Sequence, residues 1–289
     1  MDRRRFLKMM GTAVATASGV PTLADEADYR LWVALLGTEG EECRAFGIGS
    51  TEAAELPADT AARQEERNAF IVDSSEFAAL TALAEKIRRT RSIVGYGRFN
   101  LVGFDDMNRI GRDYSKVGPF TRDEQELFES LFYRNASDYG FYGEKVFTSV
   151  TQTINEKEMV KIDGTGHYLY RGAAEEMYEK IRRELGHSIV LTSGVRSVVK
   201  QMDLFLQKVI SSRGDMSAAA HSLAPAGYSY HGVGDFDVGK VGFGQANFTD
   251  AFAETDEFKR LVASGYVRIR YTKDNPYGVR YEPWHVKVV

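Results

Sequence analysis

The chain is predicted to be an α+β protein: a mainly antiparallel sheet with flanking helices, preceded by an N-terminal α/β extension. Three observations carry that expectation. The last hundred residues contain short apolar runs bounded by turns, helical apolar stripes with recognisable caps lie between them, and the turn Asp274-Asn275-Pro276-Tyr277-Gly278 leads into a final strand. With 289 residues, 43% hydrophobic and 27% charged, the chain is long and apolar enough to bury at least one full core.

In chain order, residues 2–8 read Asp-Arg-Arg-Arg-Phe-Leu-Lys, followed by a short run of small, weakly apolar residues from Met9 to Val20. This order resembles a bacterial twin-arginine export signal, with Arg3 and Arg4 as the pair. Residues 1–24 form the expected signal, with cleavage after Ala24 or, as an alternative, after Ala17. The apolar run is too short to span a bilayer. The full chain carries a formal charge of -4, and residues 1–24 hold four basic and one acidic side chain, so their removal brings it to -7. The expected product is periplasmic or extracellular, without a stable membrane span, with the Tat translocase as its partner during export. Acidity argues against a nucleic-acid partner, which needs a basic face to displace counterions from phosphates.

Residues 25–150 are read as an N-terminal extension or accessory region and residues 151–289 as the unit that carries chemistry. From Tyr29 to about Gly186, strand-like and helix-like stretches alternate, with a loose excursion from about Gly40 to Arg67. Leu80, Leu83, Ala84 and Ile87 recur at helical spacing, and Thr121 with Glu124 forms a capping box ahead of Leu127, Phe128, Leu131 and Phe132. The aromatics Phe132, Tyr133, Tyr139, Phe141 and Tyr142 are read as packing rather than as a groove. Further on, Ser188 to Thr192 is a strand, and Ser197 caps a helix whose stripe is Val198, Met202, Phe205, Leu206 and Val209. Thr255 caps a second helix from about Asp256 to Ser264, which Gly265 stops. Tyr266 to Tyr271 alternates arginines with apolar residues as a half-exposed strand would, and the last strand is expected from Val279 to Val288.

The one cysteine, Cys43, excludes an internal disulfide and a multi-thiolate site, so a metal would sit on His, Asp and Glu. Of five histidines, His167 and His187 are read as structural, and His221 as part of a cleft wall. A hydrolytic zinc site commonly takes two imidazoles and a carboxylate and leaves one position for water, and His231, Asp237 and His285 meet that need. Glu282 is the free carboxylate that could take the water's proton. Residues three apart on a straight strand face opposite ways, so Glu282 and His285 converge only if Pro283 bends the chain.

Three blocks in order carry a resemblance. They are Ser193-Gly194-Val195-Arg196-Ser197 with Gln201, then Ser229-x-His231 with its following glycine and aspartate, then Glu282-Pro283-Trp284-His285. From about Ser188 to Val289 the chain resembles the zinc D-alanyl-D-alanine carboxypeptidases of the vancomycin-resistance type, peptidoglycan peptidases that share a fold with hedgehog signalling domains. The resemblance implies zinc on His231, Asp237 and His285, Glu282 as general base and acid, and Arg196 as a positive group near the reacting carbonyl. It also implies Ser229 and Gln201 in substrate binding, and peptidoglycan stem peptides as substrate. The aspartate follows the first histidine by seven residues in the family, whereas Asp237 follows His231 by six and Asp235 by four. Asp235 therefore stays open as the ligand, with a second role of orienting an imidazole. An endopeptidase cutting inside the stem and a non-catalytic wall-binding module are the alternative functions.

Overall fold

The computed structural model describes residues 69–289. The signal segment, Cys43 and the stretch from Gly40 to Arg67 lie outside these residues. The described part of the N-terminal extension is built from helices: α1 (Ser74–Val94), α2 (Tyr96–Phe99), α3 (Phe104–Asp113) and α4 (Arg122–Tyr133). Its extended backbone is limited to an isolated bridge between Ile71 and Asp215, because the apolar residues of this stretch recur at helical period rather than alternating. The expected capping box is present, with Thr121 accepting from the Glu124 N–H and the Glu124 carboxylate closing back on Thr121.

After this come a two-stranded hairpin of β1 (Met159–Ile162) and β2 (His167–Tyr170), helix α5 (Ala173–Leu185), strand β3 (Ile189–Ser193), helix α6 (Val198–Ser211) and helix α7 (Met216–Ser222). Strand β4 (Phe236–Lys240), helix α8 (Asp256–Ala263), and strands β5 (Arg268–Ile269) and β6 (His285–Lys287) complete the order. The main sheet runs β3-β4-β6-β5 with every pairing antiparallel.

Two strands are shorter than the sequence implies. The last strand starts at His285, not Val279, because Pro283 has no N–H for a ladder and residues 282–285 form a turn closed by His285 N–H donating to Glu282 O at 3.1 Å. The strand expected from Tyr266 to Tyr271 narrows to Arg268–Ile269, and Arg270 is buried rather than facing water. Burial of Arg270 is tolerated because its guanidinium pairs with the buried Asp235 carboxylate.

Among the described residues, two apolar clusters form the core. One contains Leu80, Leu83 and Ile87 of α1, Phe128 and Phe132 of α4, and Val198, Met202, Phe205, Leu206 and Val209 of α6, so the extension and the C-terminal region share a core. Arg91 of α1 reaches the fully buried Asp203 of α6 at 3.1 Å. Among the aromatics read as packing, Phe132, Tyr139 and Phe141 are buried, while Tyr133 and Tyr142 are exposed. The other cluster joins Tyr178 and Ile181 of α5 and Leu261 of α8 to Leu191, Phe236, Val238 and Val286 of the sheet. Because a strand alternates its side chains, burying Phe236 and Val238 in that cluster turns Asp237 to the opposite face. The functional cluster is built on that face.

Candidate metal centre and active-site cleft

Strand register brings the first two groups together. Asp237 on β4 pairs directly with His285 on β6, and neighbours paired across strands project from the same face. His231 arrives from a short 3-10 turn, Tyr230–Gly232, ahead of β4. The three side chains offer ligand atoms within 4.8 Å of one another, and all three are buried. His231 Nε2 lies 3.3 Å from Asp237 Oδ2, His285 Nδ1 lies 3.3 Å from Asp237 Oδ1, and the imidazole centroids are 4.8 Å apart at 81°.

The outward-facing nitrogens are already engaged. His231 Nδ1 bonds the Gly194 carbonyl at 2.8 Å, which leaves Nε2 for the cluster. His285 presents Nδ1 to the cluster while its Nε2 contacts Asp235 Oδ2 at 3.1 Å. Asp235 is held in turn by Arg270 and by the Val288 N–H at 2.8 Å. Asp235 therefore stands behind His285, while Asp237 faces both imidazoles and shares with them the group that could hold a metal.

The electrostatics follow from these partners. Burial, with the nearby Arg196 cation, lowers His231 to about 4, so it is neutral near pH 7. Burial also disfavours a charged His285, but the hydrogen bond to Asp235 and the neighbouring carboxylates of Asp237 and Glu282 outweigh it and raise its pKa well above the ordinary imidazole value. For Asp237, burial acts to raise the pKa, while His231, His285 and Arg196 hold the carboxyl well below the usual range. His231 Nε2 and Asp237 Oδ1 are shut from solvent without a hydrogen-bond partner. Two nitrogens and a carboxylate, with orphaned lone pairs converging on one point, fit a tetrahedral divalent ion that keeps an open position.

The remaining candidates gather around this cluster. Glu282 Oε2 lies 3.6 Å from His285 Nδ1, brought there by the turn at Pro283 and by Glu282 N–H donating to Tyr271 O at 2.9 Å. Arg196 follows β3, where Ser197 caps α6, and its guanidinium donates to Ser193 Oγ at 2.9 Å, Asp237 Oδ2 at 2.8 Å and Gln201 Oε1 at 3.5 Å. Gln201 Nε2 donates to Ala224 O at 2.5 Å, so this side chain is tied into the wall. Ser229 lines the cleft beside them. His221 bonds the Gly278 carbonyl through Nδ1 at 2.9 Å and fastens α7 to the turn ahead of β6, while the following Ser222, Leu223 and Ala224 face the cleft. His167 is buried against Tyr96, and His187 sits beside Arg182, both away from the cluster.

Sequence reasoning missed three residues. Arg270 holds Asp235, Tyr271 packs its ring on His285 at 4.8 Å, and Arg280 lines the cleft. Arg280 and Tyr271 lie near the Glu282 block, but only the turn that doubles the chain back reveals their direction.

Residues 167–289 match the family model described as VanY, D-alanyl-D-alanine carboxypeptidase. No curated relative matches the chain in sequence. Similar solved structures include a vancomycin-resistance D,D-pentapeptidase VanY from a VanB-type cassette in complex with Zn(II), 23% identical with a TM-score of 0.38 over 46% of this chain and 78% of that one. VanYB in complex with D-alanine-D-alanine is 22% identical with a TM-score of 0.38 over 46% of this chain and 77% of that one. The vancomycin-resistance D,D-dipeptidase VanXYg with a D-Ala-D-Ala phosphinate analogue is 22% identical with a TM-score of 0.40 over 52% and 62%. The three motif blocks all fall inside residues 167–289, and that region is similar to the VanY D-alanyl-D-alanine carboxypeptidase family.

Proposed function

We propose that the protein is a zinc-dependent D,D-carboxypeptidase that removes a terminal D-alanine from peptidoglycan stem peptides. The observation that carries this reading is the carboxylate of Glu282 beside a buried His/Asp/His cluster in an open cleft. A structural metal site has no use for such a base, which argues against the non-catalytic alternative. A zinc ion held by His231, Asp237 and His285 would supply Lewis acidity and lower the pKa of water toward about 7.

The chain's own residues perform the proton work. Glu282 accepts the proton of the attacking water and returns it to the leaving amine. Arg196, fixed by Ser193 and Gln201, directs positive charge at the oxygen on which negative charge develops. Ser229 and Gln201 shape the wall against which the peptide lies. Residues 151–289 carry this chemistry, and the described helices ahead of residue 150 buttress it through a shared apolar cluster.

Glu282→Gln tests the assignment. The variant should retain zinc yet lose at least about a hundredfold in turnover, as expected for a general base, and retained turnover would reject it. No helix among the described residues is long and apolar enough to cross a membrane. Export to the periplasm through Arg3 and Arg4 is part of the same proposal, and changing both to Lys should leave precursor in the cytoplasm. Normal export of that variant would refute the signal.

A further inference from the structure

The cleft contains a second arginine with no part in the proposed proton chemistry. Arg280 lines the same cleft as His231, Asp237, Glu282 and His285. Its guanidinium stands 5.1 Å from the centre of the Trp284 ring, and Nη2 donates to the Phe248 carbonyl at 3.0 Å. Its Nε is shut from solvent with no acceptor in reach. Among the described residues, no carboxylate pairs with Arg280.

Arg196 is the contrast. Each of its three nitrogens donates to a side chain of the protein, one of them the Asp237 carboxylate. The two arginines together offset Asp237 and Glu282, so a divalent ion would leave the cleft with net positive charge. A planar fork with spare donors, half-buried beside a ring that screens one face from water, is suited to gripping a carboxylate. Desolvation makes such a contact stronger than it would be at an open surface.

On the peptidase reading above, we propose that Arg280 is a specificity residue that binds a carboxylate of the peptide substrate. Two carboxylates share this chemistry: the terminal one of the last alanine, and the one on the acidic residue within the stem. Arg280 forms a charge-assisted hydrogen bond that holds the peptide across the cleft, and its contribution falls on binding rather than on the chemical step.

The test measures kcat and KM for zinc-loaded wild type, Arg280→Lys and Arg280→Ala on three peptides. These are a D-Ala-D-Ala-terminated pentapeptide, the same peptide with a C-terminal amide, and the same peptide with the stem acid converted to its amide. Arg280→Ala should raise KM for the parent peptide by about 10–100-fold, the scale of one charged hydrogen bond, with kcat little changed and Arg280→Lys intermediate. The amide on which the variant and wild type have equal KM identifies the carboxylate that Arg280 reads. An unchanged KM, or an equal rise on all three peptides, would overturn the proposal. Calorimetric binding of the same peptides to zinc-loaded Glu282→Gln protein, with and without Arg280→Ala, makes the comparison without turnover. Absence of hydrolysis by wild type would thus reject the peptidase reading, while Arg280 is still judged on binding.

Discussion

Asp235 and Asp237 are separated by one residue on neighbouring backbone, yet their surroundings divide their roles. Asp237 faces two imidazoles and Arg196, while Asp235 sits behind His285 in a buried pair with Arg270, whose guanidinium also packs 3.6 Å from the Tyr230 ring centre. Removing Asp235 strands a buried arginine and frees His285 to rotate. Asp235→Ala should therefore cost about 3–5 kcal/mol in stability by denaturant unfolding and weaken zinc affinity about 10–100-fold. A variant with wild-type stability and zinc binding would contradict this role. The protonation of the two imidazoles gives a second prediction. His231, at about 4, is neutral near pH 7, whereas His285 is raised and holds its proton until metal displaces it. Zinc affinity should rise with pH through the neutral range, with proton release visible by calorimetry in buffers of different ionisation enthalpy. Binding without proton release near pH 7 would contradict the His285 assignment. In the metal-free protein, the raised His285 stabilises the fold below about pH 6.5 and loses that contribution as pH rises through its folded value. Asp235 and Asp237, both depressed, contribute above about pH 3.9 and lose it as pH falls.

Among the elements, the junction from β3 to α6 matters most. Gly194 offers its carbonyl to His231, and a Cβ placed there would stand 2.0 Å from the Tyr168 carbonyl oxygen on β2. Tyr168 O also accepts the Val195 N–H at 2.8 Å, so it cannot retreat without breaking that bond. Gly194→Ala should lower both thermal stability and zinc affinity, and an unperturbed variant would show that the junction yields more easily than this packing implies. Elements with local signals were legible in the sequence: the Thr121 box and the Ser197 and Thr255 caps each depend on residues within one turn, and the stripe on α6 on a repeat inside a single helix. Strand β5 is shorter than its pattern implies because of a non-local pair, Arg270 with Asp235 across 35 residues, whereas β6 starts late because of the local turn at Pro283. The site was legible in the same uneven way. Residue types at short spacing exposed His231, Asp237, Glu282 and His285, but the spacing could not separate Asp235 from Asp237. The sheet register and the Arg270 pair supply that distinction.

At the scale of the whole molecule, the helices ahead of residue 150 and the helix that carries Gln201 belong to one apolar cluster. The backbone is joined there too, with Ser197 N–H donating to Asn100 O at 2.8 Å right beside Arg196. A fragment beginning at residue 151 would expose Val198, Met202, Phe205 and Leu206 to water, and it should show no cooperative thermal transition. Cooperative unfolding of that fragment would mean that the extension is dispensable to the fold. The most direct test of the proposed chemistry is mass spectrometry of the products that the zinc-loaded protein forms from a pentapeptide muropeptide ending in D-Ala-D-Ala. Loss of a single terminal alanine, abolished by chelation and restored by zinc, is the expected result. Intact substrate after incubation with folded, zinc-loaded protein would contradict the peptidase assignment, and split stems would replace the carboxypeptidase with an endopeptidase.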